Sequence, residues 1–145
     1  MQVDLRQPDN SFTLQAGVGN AALVLAGAPP TGSLVSSSGN VANAAAVATL
    51  AAAAGKTTYI SGFEITGGGA TAASLVTATV VGLLGGTASY TIGVVAGATA
   101  PNSPLVVEFN PPIPASAPNT AIVVTVPALG AGSTNSTVVA HGYQF

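Results

Sequence analysis

The chain has 145 residues, a formal net charge of −2 from 2 basic and 4 acidic side chains, 48% hydrophobic residues, and no cysteine or tryptophan. One domain is expected at this length, and disorder does not fit, because disordered chains combine low hydrophobicity with high net charge. Two cations do not neutralise a run of phosphates, so nucleic acid is not an expected partner, and without cysteine there is no disulfide framework, thiolate metal site or cysteine nucleophile.

Residues 1–40 differ in texture from the rest. Asp4, Arg6 and Asp9 are three of the six charges of the whole chain. The opening Met1-Gln2-Val3-Asp4-Leu5-Arg6 has neither the basic nor the apolar region of a secretory signal, so use without that export route is expected. Gly17, Gly19, Gly27, Pro29, Pro30, Gly32 and Gly39 leave only two short strand candidates, Phe12 to Gln15 and Ala21 to Leu25. The segment is expected to be an extended arm that docks on a partner through Phe12, Leu14, Leu23, Val24 and Leu25. Gly17-Val18-Gly19-Asn20-Ala21-Ala22 matches a dinucleotide-binding pattern, but Pro29-Pro30 arrives too soon for the crossover helix that the pattern requires.

Ala42 to Ala54 has the composition of a helix, with Asn40 and Gly55 placed as caps. Val41, Val47, Thr49 and the absence of any charge for a solvated face argue instead for a strand over about Ala46 to Ala51. The run is too short and too alanine-rich to span a membrane, and later apolar stretches are broken by Thr, Ser and Gly; no membrane association is expected.

From Thr57 onward, short runs alternate apolar and polar residues between Gly, Pro and Asn breaks, which is the pattern of an all-β domain. Strands are expected over Thr57 to Thr66, Leu75 to Val81 and Ser89 to Val95, the last two as a hairpin about Leu83 to Thr87. Leu105, Val107 and Phe109 form the next inward set. Asn110 to Asn119 contains four prolines without N–H groups, so it is expected to cross over or to protect an edge. Ile122 to Val126 and Thr137 to Gln144 complete the series, with Val106 and Val123 on the outer side, where a neighbour would cover them. The expected architecture is all-β: a two-sheet antiparallel sandwich over residues 41–145, jelly-roll-like, with an immunoglobulin-like topology as the alternative and the arm at the N-terminus.

Few side chains are suited to chemistry. His141 is the one imidazole, expected half-buried on the strand face of Val139 and Tyr143, and no Gly-x-Ser-x-Gly elbow accompanies it. Glu64 and Glu108 alternate with large apolar residues and are expected as two solvated outer-face acids or as an interface ion pair with Lys56, not as a glycosidase dyad. No two of His141, Glu64, Glu108, Asp4 and Asp9 lie at a metal-ligand spacing. Asn135-Ser136-Thr137 is a formal glycosylation sequon, expected to be a turn. No catalytic, cofactor-binding or metal residue is assigned, and the chain is not expected to be an enzyme.

The stretch from Gly55-Lys56-Thr57-Thr58-Tyr59-Ile60-Ser61-Gly62-Phe63-Glu64-Ile65-Thr66-Gly67 through Pro112-Ile113-Pro114-Ala115-Ser116 to His141-Gly142-Tyr143-Gln144 resembles small β-rich virion proteins of tailed bacteriophages, above all the capsid decoration or cement proteins. The resemblance covers about residues 46–145. It implies a jelly-roll-like sandwich, a homo-oligomer (dimer or trimer), and binding to the major capsid protein on the outer surface of the capsid. It carries no catalytic residues. The alternative function is a receptor-binding or adhesive module of a phage tail or surface appendage.

Overall fold

The computed structural model of the protein describes residues 33–145. Its regular structure is eight strands: β1 (Leu34–Ser37), β2 (Ala46–Leu50), β3 (Thr58–Gly68), β4 (Ser74–Leu83), β5 (Gly86–Val94), β6 (Leu105–Pro114), β7 (Ile122–Val126) and β8 (Asn135–Gln144). They form two antiparallel four-stranded sheets, ordered β1-β8-β3-β6 and β2-β7-β4-β5, that pack as a sandwich.

The pairing follows one rule. β1 lies beside β8, β2 beside β7, β3 beside β6 and β4 beside β5. The chain is thus one long hairpin with β4 and β5 at its tip, rolled so that successive pairs fall alternately into the two sheets. β3–β8 and β4–β7 contacts then close each sheet. Eight strands connected in this way make a jelly roll, and the immunoglobulin-like order does not apply.

Burial follows strand period. In β2 the pattern alternates strictly, with Ala46, Ala48 and Leu50 inward and Val47 and Thr49 outward, so the alanine-rich segment is a strand, one residue shorter than expected. Helix propensity yields here because a helix would leave the β7 edge without a ladder partner and its inward row unburied. The core is aliphatic, built on Leu50, Ile60, Val80, Ile122, Val124, Val126 and Val138. Near β5 and β6 it is wide enough for rings, where Phe63 meets Tyr90 edge-on at 5.2 Å and Phe109 at 6.2 Å. At the opposite side Ala46, Ala48 and Ala140 let the sheets close, and the Thr49 N–H on β2 donates to the Ser36 Oγ on β1 at 2.9 Å.

Two glycines are required by close approach. Gly82 has φ +87 and its missing Cβ would strike the Ala121 carbonyl, while a Cβ on Gly142 would strike the Tyr59 carbonyl and the Leu50 side chain. Both meet the backbone of the neighbouring strand in the same sheet, Gly142 on β8 against β3 and Gly82 on β4 against the entry to β7. β6 runs through Pro111, Pro112 and Pro114 as an edge strand, the position in a sheet that tolerates missing N–H donors.

β1 falls in the segment that the sequence assigns to the arm. Leu34–Ser37 pair with β8 in register Leu34↔Gly142 to Ser37↔Val139, so residues 34–37 are part of the sandwich.

Candidate functional site

The two outer sheet faces divide the chemistry of the protein between them. Beyond residue 33 the chain has four charged or imidazole side chains, Lys56, Glu64, Glu108 and His141. Three of the four stand on the outer face of the β1-β8-β3-β6 sheet. One cross-strand row runs Val35, His141, Gly62, Glu108, and the next runs Ser37, Val139, Glu64, Val106. A register shift in β3 between Ile60 and Gly62 opens a shallow depression of about 390 Å³, lined by Glu64, Glu108, His141, Ser61 and Val106.

The placement agrees with the sequence expectation for each of these groups. Glu64 and Glu108 are exposed and His141 is half-buried on the side of Val139 and Tyr143. Glu64 is opposite Val106 and Glu108 opposite Gly62, which makes the acids diagonal neighbours on an open sheet. Lys56 precedes Glu64 by eight positions, about 26 Å along an extended strand, so the two do not pair within one chain. Although the depression joins two carboxylates and an imidazole, no group of three such ligands is arranged to hold a metal ion among the described residues. Chemically, the face offers acceptors flanked by Val35 and Val106, which are 63% and 57% exposed. Tyr59 and Tyr143 extend it as a stacked pair with ring centroids 5.0 Å apart.

Among the described residues, the outer face of β2-β7-β4-β5 carries no charge. Its central row is Val47, Thr125, Thr79, Ser89; beside it run Thr49, Val123, Val81 on one flank, and Thr77 with Thr91 and Leu75 with Gly93 on the other. All of these are exposed or half-buried. Threonines spread over four strands are gathered into one patch, which linear inspection does not reveal, because the registers that align them join residues as far apart in sequence as Val47 and Thr125. Val106 and Val123, both expected on outer faces, lie on opposite sheets.

A second depression, of about 580 Å³, lies at the sandwich end formed by Thr66, Gly68, Pro101, Asn102 and Asn135. Its amides are engaged in joining loops. Asn40 Nδ2 donates to Asn135 Oδ1 at 3.0 Å, and Asn102 Oδ1 accepts the Val95 N–H at 2.8 Å. The sequon asparagine therefore opens β8 and ties it to the β1–β2 loop, in place of the expected turn. The proposed arm anchors Phe12, Leu14, Leu23, Val24 and Leu25, and the glycine pattern of residues 17–22, lie outside the described residues.

Comparison with protein-family models, with curated proteins and with solved structures gives no significant match.

Proposed function

We propose that this protein is a structural virion component, a capsid decoration or cement protein that binds the major capsid protein on the outer surface of the shell and stabilises it. The observation that supports this reading is the uncharged β2-β7-β4-β5 face, a broad Thr/Val surface with Val47, Val81 and Leu75 exposed. Such a face loses little hydration free energy on docking, since no ionised group is stripped of water, while its valines and leucine gain about 25 cal/mol per Å² of apolar area covered. A ligand that binds only the assembled shell stabilises that state by mass action. The adhesive alternative draws on the end depression near Asn102, but the amides there are already bonded within the protein.

The test is addition of purified protein to capsids that lack it, with bound density and the temperature of thermal rupture as readouts. Binding and a higher rupture temperature are expected for the unaltered chain and for Glu108→Gln. The Thr79→Lys variant, with a charge in the middle of the neutral face, is expected to bind at least tenfold more weakly. Absence of bound density with the unaltered chain overturns the proposal; equal binding by Thr79→Lys overturns the choice of face.

A further inference from the structure

Among the described residues the sandwich has four edge strands, β1 and β6 in one sheet and β2 and β5 in the other. An edge exposes a row of unpaired N–H and C=O groups and invites another strand unless it is short, charged, proline-bearing or covered. Three edges are blunted. β1 and β2 have 4 and 5 residues and are bridged to each other by the Thr49 N–H to Ser36 Oγ bond. β6 contains Pro111, Pro112 and Pro114.

β5 has none of these protections. Its 9 residues, Gly-Thr-Ala-Ser-Tyr-Thr-Ile-Gly-Val, include no proline and no charge. Apart from the ladder to β4, its backbone has no hydrogen-bond partner among the described residues. Alternate residues of an antiparallel strand turn their polar groups to opposite sides, so about half of β5 presents N–H and C=O groups away from β4.

We infer that β5 is the edge through which a second copy of this chain pairs, antiparallel and about a twofold axis at Tyr90. Charge permits a like partner, since neither strand carries any. The exposed apolar residues favour one. Leu84, 62% exposed, lies in the turn before β5, and Val95, 48% exposed, follows its last residue. In the twofold register Val95 of each copy lies opposite Gly85 of the other and beside its Leu84, so both ends of the ribbon acquire an apolar contact. The register also keeps outer residues with outer residues. Ser89 meets Thr91, and Thr87 meets Gly93, whose Cβ position has no atom within 4 Å, leaving room for the exposed Leu75 on its β4 partner to reach across. The two neutral faces then become one continuous eight-stranded surface.

A ribbon of this length, roughly 30 Å, buries less than the about 800 Å² per partner of a tight complex, so the pairing is reversible. It is measured without any capsid and stands independently of the proposed attachment. Sedimentation of the full chain from about 5 μM to about 500 μM, a span that brackets weak association, is expected to show the mass rising from 13.8 kDa to twice that value. The Ser89→Lys/Thr91→Lys variant is expected to remain at the lower mass with an unchanged β circular dichroism spectrum. In this cysteine-free chain, Ser89→Cys/Thr91→Cys is expected to give a disulfide-linked dimer, because residues opposite one another in a ladder lie within disulfide span. Thr49→Cys, on the far edge, is expected to stay unlinked. A constant 13.8 kDa over the whole range, an oligomer indifferent to the two lysines, or the absence of a cross-link in the cysteine pair overturns the inference, and the cross-link decides if the lysine variant fails to fold.

Discussion

Ser136 on β8 is 1% exposed, and its hydroxyl has no hydrogen-bond partner among the described residues. Its backbone, by contrast, is fully engaged, exchanging N–H···O bonds of 3.0 and 2.9 Å with Val41. The side chain is enclosed, with Gly67 on β3 as its cross-strand neighbour. Nothing among the described residues bonds to it, so a polar residue is not required there. A buried hydroxyl without a partner costs about 1–3 kcal/mol, so Ser136→Ala is expected to leave the melting temperature unchanged or raise it. Ser136→Val, which overfills the same site, is expected to lower stability by about 1–3 kcal/mol. A clear loss of stability in the alanine variant, read by thermal denaturation, would show that the hydroxyl is bonded after all.

Among the elements, β1 and the serine that follows it show how a short segment fastens two sheets. Leu34 packs at the margin of the core, Ser36 Oγ accepts the Thr49 N–H, and Ser38 clasps β8, its N–H donating to the Val138 carbonyl at 2.9 Å and its Oγ accepting the Val138 N–H at 3.0 Å. Two side-chain hydrogen bonds at about 1 kcal/mol each and partial burial of Leu34 at about 1 kcal/mol sum to about 3 kcal/mol. A chain beginning at residue 41 is therefore expected to unfold at lower denaturant than one beginning at residue 33, with equal stability of the two counting against a structural role for β1. The serines that fasten β1 are the residues that disguised it, because Ser-Ser-Ser followed by Gly reads as loop when hydrogen bonds to distant strands are not visible. A strand with large inward residues at period two, such as Ile122 to Val126, was legible because alternation is a local property, whereas in β3 the register shift between Ile60 and Gly62 breaks the alternation, so that Ile60, not the Tyr59 that period two selects, points inward with Phe63 and Ile65. The alanine strand β2 was legible only from Val47, Thr49 and the missing charges. The acid-and-imidazole face and the neutral face were not legible as faces, since each arises from register between strands far apart in sequence.

At the scale of the molecule, the rolled hairpin places Glu64, Glu108 and His141, three of the four charged or imidazole groups among the described residues, on one side. Docking through the uncharged side involves no ion pair, and at about 1 M salt, where charges are screened within about 3 Å, attachment to capsids is expected to persist. Release at that ionic strength, followed by co-sedimentation with capsids, would shift the contact to the side of Glu64, Glu108 and His141. The same topology makes folding depend on distant pairings, β1 with β8 above all, so the rate is expected to fall in the slow range of all-β domains, from milliseconds to seconds.

The pairing of Leu34 with Gly142 also has a mechanical consequence. The first and last strands described are antiparallel neighbours, so the chain enters β1 and leaves β8 at one corner. Tension between those ends acts across the β1–β8 ladder and opens its bonds one after another, like a zipper, instead of loading them together in shear. The rolled hairpin is thus weakest to pulling at the corner where its two ends meet, while the β4–β5 tip at the other end of the roll carries none of that load until β1 has peeled away.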